Sequence, residues 1–235
     1  MLEIVGLKAG YPSGGLVLND LNISIPRASI VAVLGRNGMG KTTLMRSVCG
    51  LLASAGGSIL LDGQEIAGRT VFERARAGIG FVPQGREVFA DFSVAENLLI
   101  GRIAKPGLSP EIPEHLLSLF PILRERWNQR AGSFSGGQQQ QLAIARALAG
   151  EPRVLLLDEP SEGIQPSIVH QLAGTLRQLV DTTGLTIMMA EQNLDMVAAC
   201  ADTVAFIDHG AIVESGIPAA GIREDRARQA KFLSI

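Results

Sequence analysis

The sequence predicts an α/β fold that opens with an antiparallel β segment and carries a helical insertion in its middle. Three observations support this. Short apolar runs of strand length recur along the 235 residues. One of them, Ile30 to Leu34, enters a glycine-rich turn and then a helical stretch. Between about Glu87 and Gly150 the periodicity becomes mostly helical.

Leu2 to Leu7 and Leu16 to Ile25 alternate or cluster apolar side chains at strand spacing. Pro12, Ser13, Gly14 and Gly15 separate them with turn chemistry, so the pair reads as an antiparallel hairpin. Ile30 to Leu34 reads as a buried strand and Lys41 to Leu51 as the helix after it. Further core strands are expected at Ser58 to Leu61, Gly80 to Pro83, Val154 to Leu157, Leu185 to Met189 and Val204 to Ile207. The helical block is broken by Lys105 to Pro113, and Phe120 and Trp127 read as its packing residues. Glu224 to Ile235 reads as a solvated tail helix. The chain is expected to be one domain, with residues 1–86 and 151–235 as the core and about 87–150 as the insertion.

A hydrophobic content of 46% against 19% charge suffices to bury a sizeable core. The formal net charge of −2 gives no bulk attraction to nucleic acid, and none is expected as a partner. Stretches such as Leu185 to Ala190 fall far short of the roughly 20 apolar residues that cross a bilayer. The opening Met1-Leu2-Glu3-Ile4 lacks the basic and apolar regions of a secretory signal, so a cytosolic setting is expected. There Cys49 and Cys200 read as reduced, buried thiols. His115, His170 and His209 are scattered and fit no metal or catalytic spacing.

Gly35-Arg36-Asn37-Gly38-Met39-Gly40-Lys41-Thr42 fits G-x-x-x-x-G-K-[ST], placed after a buried strand and before a helix. Glycines let the backbone curl around a triphosphate, so that N–H groups and the helix N-terminus point at its oxygens. Lys41 adds positive charge near the β- and γ-phosphates, Thr42 offers a hydroxyl to Mg²⁺, and Thr43 completes the nucleotide-contacting set. Val154 to Leu157 is an apolar strand that ends in Asp158 and Glu159. Asp158 is placed to hold Mg²⁺, and Glu159 to orient or deprotonate the water that attacks the γ-phosphate. These residues predict a Mg²⁺-dependent nucleotide hydrolase.

Ser135-Gly136-Gly137-Gln138 opens an apolar-periodic helix (Leu142, Ile144, Ala145, Leu148) and ends 20 residues before Asp158. In this order with the phosphate loop and the Asp-Glu strand, the chain resembles the ABC ATPase family over essentially its whole length. The resemblance implies a P-loop NTPase (RecA-like) core with an N-terminal antiparallel β subdomain and an inserted helical subdomain. It also implies that Ser135, Gly136, Gly137 and Gln138 serve the γ-phosphate held by an opposite subunit. Gln84 matches the loop glutamine that reaches the Mg²⁺ and the attacking water, and Tyr11 matches the aromatic that stacks on adenine. Phe134 stands where leucine usually precedes the signature. Gln192 stands where most members carry the switch histidine, and Gln165 where most carry an aspartate. Glutamine can donate to a γ-phosphate but carries no proton or charge there.

Glu191-Gln192-Asn193 resembles the second ATPase of branched-chain amino acid and amide importers. The run Gln138 to Gln141, Glu162 to Pro166 and Pro83 to Phe89 look closer to the urea-type subunit. Urea or a small amide is therefore the expected cargo, with branched-chain amino acids as the alternative. The implied partners are membrane-spanning subunits, a second ABC ATPase or another copy of this chain, and indirectly a solute-binding protein. The expected location is peripheral, on the cytoplasmic face of the cell membrane. Two rivals differ in class. A DNA- or ribosome-acting ABC ATPase would carry a long coiled coil or a second cassette, and a non-hydrolysing regulator would lack Glu159.

Overall fold

The computed structural model describes residues 1–12, 14–103, 105 and 107–233; Ser13 of the expected turn, Pro106 of the expected break and the last two residues of the expected tail helix lie outside them. The chain begins with β1 (Leu2–Gly10), β2 (Leu16–Ile25) and β3 (Ile30–Leu34), followed by α1 (Lys41–Cys49). β4 (Ser54–Leu61), β5 (Gln64–Glu65), α2 (Val71–Ala77) and β6 (Ile79–Val82) come next. The helical stretch comprises α3 (Val94–Ile103), α4 (Glu114–Leu119), α5 (Pro121–Glu125) and α6 (Gly136–Ala149). β7 (Val154–Asp158), α7 (Pro166–Thr183), β8 (Thr186–Glu191), α8 (Leu194–Cys200), β9 (Thr203–Asp208), β10 (Ala211–Pro218) and α9 (Arg226–Phe232) complete the chain.

The strands form a four-stranded sheet, β2-β1-β4-β5, and a six-stranded sheet, β10-β9-β3-β8-β7-β6. In the larger sheet β9, β3, β8, β7 and β6 run parallel, and only β10 is antiparallel to its neighbour. Both faces of this sheet are covered, which is why β3, β7 and β8 read as unbroken apolar runs. Successive side chains feed opposite cores. Ile30, Ala32, Leu34, Leu155 and Leu157 join the helical side with Val94, Leu98 and Leu142. Val31, Val33, Val154 and Leu156 join α1 and the antiparallel sheet. Each such Leu, Ile or Val contributes about 1.5–3 kcal/mol relative to exposure.

Three expectations need correction. The tail helix expected to be solvated, α9, packs inward instead: Phe232 is buried and stacks on Phe206 with ring centroids 4.6 Å apart, because Gln229 and Phe232, three residues apart, fall on one buried face. Ser58 to Leu61 is not a strand of the core sheet: β4 lies antiparallel to β1, with Leu2 opposite Leu61. Its Ile59 and Leu61 are buried with the hairpin, and a local apolar pattern does not say which sheet a strand joins. The helix after the phosphate loop stops at Cys49, because Gly50 adopts a left-handed φ of 89° and leaves Leu51 outside and exposed. Cys49 and Cys200 are both free and buried, and burial pushes the Cys200 thiol up to about 12. Phe120 is buried and Trp127 packs against the same helical-side core.

Candidate nucleotide site

Register in the parallel sheet assembles the site. Leu34 at the end of β3 pairs with Glu191 at the end of β8, and Asp158 at the end of β7 pairs with Ala190. The loops after β3, β7 and β8 therefore leave from one edge, the position where open α/β sheets bind ligands. The loop after β3 is held tight at its glycines. A Cβ on Gly35 would meet the Ile207 carbonyl oxygen at 2.5 Å, and Gly40, at φ 110°, caps the N-terminus of α1. Lys41 is 4% exposed; its Nζ donates to the carbonyls of Gly35 (2.7 Å) and Arg36 (3.2 Å) and stands 3.4 Å from Glu159 Oε1.

A cleft of about 320 Å³ is lined by Asn37, Gly38, Gly40, Lys41, Thr42, Thr43, Gln84 and Glu159, together with Val17 and Glu162. Asp158 lies beneath it, 2% exposed, and accepts from Thr42 Oγ1 at 3.2 Å. Burial pushes its carboxyl up to about 6, partly opposed by the Thr42 hydrogen bond. A buried carboxylate beside a hydroxyl is costly as a bare anion and suits a hard divalent cation. Glu159 has a left-handed φ of 50°, and its amide donates to the Ala190 carbonyl at 2.9 Å. That uncommon backbone conformation, fixed from β8, turns its carboxylate toward Lys41.

Two outlying glutamines converge on Glu159. Gln84 Nε2 donates to Glu159 Oε2 (3.4 Å) and Glu162 Oε2 (3.0 Å). Gln192 Nε2 donates to Glu159 Oε1 (3.0 Å) and to Asn37 Oδ1. Glu191, 2% exposed, orders this loop by accepting from the amides of Ser161 (2.9 Å), Gln192 (2.9 Å) and Asn193 (3.0 Å). Burial raises its carboxyl above the usual range, opposed by those N–H donors. Sequence reasoning assigned no role to Glu191, Glu162 or Val17. Only the spacing Glu159-x-x-Glu162 could have pointed to the second carboxylate.

Two predicted groups stand apart. Ser135, Gly136, Gly137 and Gln138 do not line the cleft; they form the start of α6, where Ser135 and Gln138 make a reciprocal capping box. Gly137 is required by packing, since a Cβ there would lie 2.9 Å from Ile168 Cγ2. Tyr11 is 36% exposed beyond the end of β1, and its carbonyl accepts from Gly14 N at 2.9 Å. It too is absent from the cleft lining, where Val17 is the apolar member.

The sequence profile of the ABC transporter family matches residues 18–162, the span that holds the phosphate loop, the capped glycine turn and the paired carboxylates. The chain belongs to the ABC transporter family. It is an ATP-binding, ATP-hydrolysing subunit whose turnover is coupled to transport. It is 39% identical to the high-affinity branched-chain amino acid transport ATP-binding protein BraG of Pseudomonas aeruginosa, over 91% of each chain. It is 36% identical to the probable branched-chain amino acid transport ATP-binding protein LivF of Archaeoglobus fulgidus, over 92% of each. A solved ATP-binding cassette of an ABC transporter in its ADP conformation superposes with a TM-score of 0.79 at 27% identity, covering 97% of this chain and 96% of that one. No helix of the described residues is long and apolar enough to cross a membrane.

Proposed function

We propose that this ABC ATPase powers an importer for branched-chain amino acids. The observation that carries the reading is the near full-length similarity to two branched-chain amino acid transport ATPases. Those relatives favour the alternative cargo over the expected urea, whose resemblance rested on segments near phosphate and partner surfaces. The chain sits peripherally on the cytoplasmic face of the membrane and pairs there with a second ABC ATPase or another copy of itself. A solute-binding protein delivers cargo on the far side.

In the catalytic cycle, the phosphate loop from Gly35 to Thr43 holds the triphosphate, with Lys41 against the terminal phosphates. Thr42, Asp158 and Gln84 would hold Mg²⁺, which would neutralise phosphate charge. Glu159 orients and deprotonates the attacking water, and Gln84 and Gln192, both already bonded to its carboxylate, set its direction. Tyr11 stacks on the adenine. The opposite subunit's Ser135-to-Gln138 turn closes on the γ-phosphate through a capped helix N-terminus. The core of residues 1–86 and 151–235 carries the bound nucleotide, and the insertion of about 87–150 presents the signature turn. A groove of about 570 Å³ at the edge of that insertion, lined by Val88, Phe89, Ile100, Gly101 and Arg146, receives a cytoplasmic loop of a membrane subunit. Phe89 is 45% exposed there, against the Arg146 guanidinium.

Deleting the gene and following labelled leucine and labelled urea tests the cargo. Leucine uptake should fall at least about 10-fold while urea uptake holds, and the Lys41→Ala chain should fail to restore it. Lost urea uptake with normal leucine uptake would reverse the assignment.

A further inference from the structure

The turn after Gln84 has an unusual backbone: Gly85, Arg86 and Glu87 have consecutive positive φ values of 82°, 70° and 46°. Two adjacent non-glycine residues in the left-handed region persist only where surrounding contacts fix them. Backbone hydrogen bonds from Arg86 N to the Pro83 carbonyl (3.2 Å) and from Glu87 N to the Gly85 carbonyl (2.8 Å) hold the turn locally, and the Arg86 side chain ties it to distant segments. Its Nη2 donates to the carbonyl oxygens of Glu162 (2.9 Å) and Gly163 (3.3 Å), in the loop just beyond Glu159. The other side of the guanidinium lies against the first turn of α6, so close that a Cβ on Gly136 would stand 3.0 Å from Nη1. One planar group thus touches the loop after the catalytic carboxylate and the signature turn, and its own backbone adjoins Gln84.

We infer that Arg86 is a positioning residue for ATP hydrolysis, which sets the Ser135–Gly136 turn in register with the Glu159–Glu162 loop so that the turn can close on the nucleotide of the opposite subunit. The inference rests on the paired-subunit reading above. Arginine suits the task because one guanidinium nitrogen donates to both carbonyls while the flat face packs on a glycine. Lysine has the charge but no planar face to pack on Gly136, so charge alone does not reproduce the contact. Because Arg86 meets the cleft lining only at the Glu162 backbone carbonyl and touches neither the phosphate loop nor Lys41 and Thr42, its effect belongs to turnover and not to ATP affinity.

The test compares wild type, Arg86→Ala, Arg86→Lys and Ser135→Arg, with ATP turnover measured in the assembled transporter and ATP affinity on the isolated chain. Arg86→Ala should lower kcat roughly 10- to 100-fold. Its isolated chain should bind ATP within about twofold of wild type, which also shows that the variant folds. Arg86→Lys should stay near Arg86→Ala, and Ser135→Arg should abolish turnover. Wild-type kcat in Arg86→Ala alone overturns the inference. So does full rescue by Arg86→Lys, or a loss of isolated-chain affinity as large as the loss of kcat. Wild-type turnover in Ser135→Arg as well would overturn the paired-subunit reading itself.

Discussion

At the scale of single residues, Asp158 shows how a site is bought with stability. It is 2% exposed and its folded-state pKa is about 6 against an ordinary 3.8, chiefly because of burial. A carboxyl whose pKa is raised on folding contributes most below its unfolded value, and that contribution is lost as pH rises from about 4 to about 6. Above pH 6 the nucleotide-free chain therefore carries an unfavourable buried charge, which Asn at this position would remove while still accepting from Thr42 Oγ1. Asp158→Asn should stabilise the nucleotide-free chain at pH 7.5 by about 1–3 kcal/mol and by much less at pH 4.5, while losing Mg²⁺-dependent hydrolysis. Urea denaturation at both pH values checks this, and equal stability at pH 7.5 would contradict it. The Asp-Glu pair was legible from the strand that precedes it. The buried environment that raises Asp158 was not, because it depends on β8, α1 and the loops around them.

At the scale of elements, α6 opens on a residue with an observed capping role and a proposed phosphate-facing one. Ser135 Oγ accepts from Gln138 N at 3.4 Å, while Gln138 Oε1 accepts from Ser135 N at 3.1 Å. Removing such a cap costs about 1 kcal/mol, or about 2–4 °C in Tm for a chain of this size. Aspartate keeps the cap but brings a negative charge to a turn proposed to meet a phosphate. Ser135→Ala should thus lower Tm by that amount, whereas Ser135→Asp should keep Tm and lose ATP-driven pairing; thermal melts and size-exclusion with ATP separate the two effects. The element after Gln165 differs in the same terms. Gln165 is the N-cap of α7 but makes no side-chain cap bond, a role that the shorter aspartate usual at this position could fill. The α6 start was readable from Ser, Gly and the apolar period. The early stop of α1 at Gly50 was missed because apolar Leu51 and Leu52 extend the pattern beyond the break.

At the scale of the whole molecule, the signature turn does not line the phosphate-loop cleft of its own chain, so the proposed reaction needs two subunits. Glu159→Gln should keep ATP binding and accumulate an ATP-loaded pair, while Lys41→Ala should neither bind nor pair. Equilibrium ATP binding and size-exclusion would show this, and wild-type affinity in Lys41→Ala would contradict the assignment of the loop. By itself the sequence determined the family, the phosphate loop, the Asp158-Glu159 pair and the α/β class, because each is written in contiguous residues whose spacing is their chemistry. Only the tertiary structure decided that β4 belongs with β1, that Gln84 and Gln192 meet on Glu159, that Glu191 ties the loops after β7 and β8, and that Arg86 bridges to Gly136 and Gly163. These contacts join residues far apart in sequence through sheet register and backbone hydrogen bonds. No local pattern records where two distant chain segments will stand relative to one another.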